Sequence, residues 1–62
     1  MSAVISDSTI TVAISALLDM RGYLRLSLQK EWSEYCETWL ESVNSAIAEL
    51  QDALELRQNN EN

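Results

Sequence analysis

The segment Leu28–Arg57, LQKEWSEYCETWLESVNSAIAELQDALELR, decides the fold. Trp32, Tyr35, Cys36, Trp39, Leu40, Val43, Ala46, Ile47, Leu50, Ala53 and Leu54 recur with the 3.6-residue period of a single apolar helical face. Glu34, Glu37, Glu41, Asn44, Gln51, Asp52 and Glu55 fall between them, on the opposite face. The segment contains neither glycine nor proline, so backbone chemistry predicts no break. Thirty helical residues would span roughly 45 Å. A rod of that length with one apolar side needs cover along it.

The N-terminal half is expected to provide part of that cover. Ser6, Asp7 and Ser8 are N-cap residues, and a helix beginning near Ser8 puts Ser8, Thr11, Ser15 and Asp19 on one narrow polar stripe. Ile10, Ala13, Ile14, Leu17 and Leu18 lie opposite, flanked by Val12, Ala16 and Met20. An apolar arc this broad predicts a helix covered on two sides. Gly22, the one glycine, suits the residue just past a helix end at Arg21, where it would close the last carbonyls. A bland alternative leaves Gly22 inside a continuous helix, at a cost of about 1 kcal/mol relative to alanine.

These elements predict an all-α helical hairpin: a short helix over about 8–21 and a long one over about 24–57, with 1–6 and 59–62 frayed. A competing pattern exists. Residues 9–28 also alternate apolar and polar around Asp19–Gly22, so a β-hairpin followed by one long helix is the alternative fold. In the helical version the short helix covers less than half of the long one. Val43, Ile47, Leu50 and Leu54 then face water, and each such side chain gains about 1.5–3 kcal/mol on burial. A homodimer in a four-helix arrangement removes that exposure with the fewest assumptions.

Composition narrows the function classes. The 62 residues form at most one small domain, over 1–62, too short to bury a large core alone. Cys36 is the sole cysteine and there is no histidine, which excludes an internal disulfide, a zinc ligand set and a Cys–His nucleophile pair. Cys36 is therefore expected to be an inert thiol on the apolar face. No phosphate loop, metal spacing or catalytic triad can be assembled, so the chain is expected to be no enzyme and to need no cofactor.

Net charge is −6. Residues 1–30 carry three cations against two carboxylates, whereas residues 31–62 carry eight carboxylates against Arg57 alone. An anionic helix repels nucleic-acid phosphates and anionic membranes. Ile10–Leu18 lacks the basic flank of a signal peptide and the length of a membrane span, which with one free thiol points to the cytoplasm. Arg21, Arg25 and Lys30, near Tyr23, are expected to neutralise helix termini at the junction and to pair with acids of a neighbouring subunit.

The candidate dimer or partner interface is Trp32, Tyr35, Trp39, Leu40, Val43, Ile47, Leu50 and Leu54; its aromatics serve equally as core beneath the short helix. Glu34, Glu37, Glu41, Asp52 and Glu55 form a ridge suited to a basic protein partner, or simply a solvated face. The expected function is a small acidic protein–protein interaction module, a regulator or adaptor that modifies a partner protein. By analogy of size alone it is of the kind carried by phages and mobile elements. The alternative is a dimeric DNA-binding transcriptional regulator, weakened because Thr9, Thr11, Ala13 and Ser15 would face the groove with no Arg or Lys among them.

Overall fold

The computed structural model describes residues 4–60. Two helices, α1 (Asp7–Lys30) and α2 (Glu34–Asn60), pack as an antiparallel hairpin. No strand forms among the described residues, so the β-hairpin alternative over 9–28 is excluded. Of the expected frayed ends, 1–3 and 61–62 lie outside the described residues, whereas Asn59 and Asn60 are helical.

α1 is rich in β-branched residues that lose side-chain freedom in a helix, so its start depends on a good cap. Ser6 Oγ accepts from the Thr9 backbone N–H at 3.1 Å, and Ile10 N–H donates to the Ser6 carbonyl at 3.1 Å. Thr11 donates its hydroxyl hydrogen to the Asp7 carbonyl at 2.9 Å on the exposed side of the helix.

The helix then runs straight through Gly22, which corrects the expected break there. Gly22 has no positive φ, and open space surrounds the position a β-carbon would take. Its helix-propensity cost of about 1 kcal/mol is outweighed because Leu17 and Leu24, on either side, both pack into the core shared with α2. With α1 extended, Arg21 and Arg25 lie mid-helix and only Lys30 occupies the last turn.

The chain reverses instead at Glu31–Ser33, which corrects the single helix expected over 24–57. Glu31 is extended, at φ −154° and ψ 118°, and its N–H still reaches the Ser27 carbonyl. Ser33 caps α2: its hydroxyl accepts from the Cys36 N–H at 3.3 Å and its carbonyl from the Glu37 N–H at 3.0 Å. Glu34 and Glu37 in the first turn of α2 face its positive dipole end.

Twenty-four and 27 residues give helices of about 36 and 40 Å, so α1 covers nearly all of α2. This overturns the expected exposure of the Leu40–Leu54 stripe. Val43 and Ile47 are buried against Leu24, with Leu17, Cys36 and Leu40 packed around them. The molecule measures 46 × 25 × 14 Å, one helix thick in its shortest direction. Among the described residues no third element lies above or below the plane of the two helices.

Candidate functional site

A single layer of two helices has two broad faces, and helical geometry assigns residues to them. At 3.6 residues per turn, with Ile10, Leu24, Val43 and Ile47 pointing inward, Ala13 and Met20 of α1 and Trp39, Ala46 and Ala53 of α2 fall on the same face. Ala16, Tyr23 and Tyr35 border them. Thr11, Leu18 and Arg25, with Glu37, Asn44 and Gln51, fall on the other. The hairpin is thus two-sided, apolar on one face and mostly polar on the other.

The apolar face lies open to solvent. Tyr23 is 67% exposed, Tyr35 72%, Trp39 46% and Met20 45%. Tyr35 and Trp39, one turn apart, meet edge to face with ring centroids 6.5 Å apart at 68°. They flank a shallow depression of about 300 Å³ shared with Thr38 and Ser42. A wider open cleft of about 520 Å³ sits at the loop end, between Tyr23, Leu26 and Lys30 of α1 and Trp32, Ser33 and Cys36.

The expected interface residues are divided between two environments. Val43 and Ile47 belong to the hairpin's own core, and Leu40, Leu50 and Leu54 are half-buried. Trp32, Tyr35 and Trp39 are exposed, which corrects the expectation of an aromatic core beneath α1. Trp32 lies in the turn, not on a helix, and its indole N–H donates to the Glu37 carboxylate at 2.5 Å. Met20 and Tyr23 complete the apolar face; the sequence showed Met20 only as a flank of the first helix, and the expected helix end at Arg21 placed Tyr23 outside that helix.

Glu34, Glu37, Glu41, Asp52 and Glu55 are all exposed on α2. No group of three acids or thiols among the described residues could hold a metal ion. Cys36 is a half-buried free thiol against the Leu24–Val43–Ile47 core. No described helix is long and apolar enough to cross a membrane. Residues 9–15 are helical, so they present no strand to a DNA groove. No family model, curated protein or solved structure matches the chain.

Proposed function

We propose that the chain is a non-enzymatic protein–protein interaction module that acts as a homodimeric four-helix bundle. The observation that carries this is the open apolar face bearing Met20, Tyr23, Tyr35 and Trp39. Among the described residues, only four apolar side chains are buried within the hairpin. That is a small core even for a chain of 62 residues, which folds alone with little to spare. A lone hairpin is thus short of stabilising burial, and the open face is where more is to be had. Accessible surface points the same way: 5044 Å² exceeds by about a quarter the roughly 4,000 Å² of a compact monomer of this mass. The excess is comparable to the ~800 Å² each partner buries in a standard interface.

Closing the two apolar faces on each other leaves Glu37, Glu41 and Glu55 in water on the bundle's outside. That acidic surface fits a basic protein partner, which makes the dimer a regulator or adaptor. The chain holds no histidine to activate Cys36, and a reducing, cytoplasmic setting suits its free thiol.

The test is light-scattering mass on a sizing column across a hundredfold concentration range, with far-UV circular dichroism on the same fractions. A helical species near twice 7.0 kDa supports the dimer. A helical monomer throughout the range overturns it.

A further inference from the structure

We infer that in the dimer each α1 lies across the seam from α2 of the second copy, with both loops at the same end of the bundle. This rests on the homodimer proposed above and specifies its pairing. Two twofold axes can close one apolar face on another. An axis perpendicular to the helices sets α1 on α1 and α2 on α2; an axis parallel to them sets α1 on α2 in both places. All neighbouring helices run antiparallel in either arrangement, so helix dipoles do not choose between them.

Charge does. Between Asp7 and Lys30, α1 carries three cations and two carboxylates, a net +1. Between Glu34 and Asn60, α2 carries six carboxylates and Arg57, a net −5. Pairing α2 with α2 would set a helix of −5 beside another of −5 at an interaxial spacing of about 8–10 Å, comparable to the Debye length. Pairing α1 with α2 sets +1 beside −5 and moves the two acidic helices to the bundle's diagonal. Side-chain size is compatible with this. Asp7 meets Arg57 and Leu24 meets Val43, which puts Met20 level with Ala46. In the parallel-axis dimer, the Met20 side chain of one copy then faces the small Ala46 of the other.

The test uses single cysteines in a Cys36→Ser background. Met20→Cys and Ala46→Cys chains are mixed, mildly oxidised and analysed by non-reducing mass spectrometry. The expected product is a mixed disulfide with one chain of each kind, each variant alone remaining mostly uncross-linked. A second pair, Ala13→Cys with Ala53→Cys, serves if either substitution at the first pair prevents folding. Efficient disulfides within Met20→Cys alone, or a dimeric mass with no mixed disulfide from either pair, overturn the pairing and leave the dimer standing. A monomeric mass for the unsubstituted chain overturns both.

Discussion

Arg57, in the last turn of α2, donates to the Asp7 carboxylate in the first turn of α1 at 3.2 Å, joining residues fifty positions apart. The same guanidinium nitrogen donates to the Ile5 carbonyl, so one side chain ties the entry of α1 to the exit of α2. The clamp closes the open end of the hairpin, opposite the loop over residues 31–33.

The clamp is worth little energetically. Its side chains are 38% and 44% exposed, so water and salt screen the pair. A double-mutant cycle of Asp7→Ala and Arg57→Ala should give a coupling below about 1 kcal/mol, smaller still in 0.5 M salt. A salt-independent coupling of several kcal/mol would show that the pair is buried in the assembly.

Gly22→Ala should stabilise the protein by about 0.5–1 kcal/mol. The backbone there is helical, and the added methyl meets nothing within 4 Å. Thermal unfolding followed by circular dichroism reads this as a higher Tm. A lower Tm would mean that the chain turns at Gly22 after all.

Ser33→Ala should destabilise by about 1 kcal/mol, because the Cys36 N–H loses its acceptor at the start of α2. Ser33→Asp should restore most of the loss, since a carboxylate caps the same N–H and faces the dipole favourably. Equal stability of all three chains would rule out a cap at this position.

Ile47→Ala should cost about 2–5 kcal/mol, the usual range for emptying a buried isoleucine. In so small a core that loss should abolish most helical signal at 25 °C. Glu41→Lys, on the exposed face of α2, should leave the helical signal unchanged. Similar spectra for the two variants would contradict the assignment of inner and outer faces.

Trp39 should report assembly. In a Trp32→Phe chain Trp39 is the one remaining tryptophan, and its ring is half-exposed in the single hairpin. Covering the apolar face would shift its emission to shorter wavelength as concentration rises, in step with the mass. Emission constant while mass doubles would place the seam elsewhere.

Periodicity pointed to the helical class and to the apolar face that carries Val43 and Ile47, although it left a β-hairpin over 9–28 open and expected both side chains to be covered by a second copy rather than by α1. It misplaced the turn for a physical reason. Leu28, Trp32 and Cys36 are four residues apart, so an apolar stripe continues in the sequence across a point where the backbone leaves the helix. The true stop and start signals were present but quiet: Lys30 in a last turn, Ser33 as a cap, Glu34 and Glu37 in a first turn. Gly22 was the louder signal and was overruled.

Local chemistry by itself thus pointed to two amphipathic helices and to the apolar side of each. Only the tertiary structure decided where the hairpin folds and which apolar residues remain uncovered. A glycine inside a helix costs about 1 kcal/mol, whereas each buried aliphatic side chain returns about 1.5–3 kcal/mol. Extending α1 to Lys30 places Leu24 on Val43 and Ile47, and that burial exceeds the local preference at Gly22. The same extension leaves Tyr23, Tyr35 and Trp39 in water, because a layer one helix thick has nothing above it.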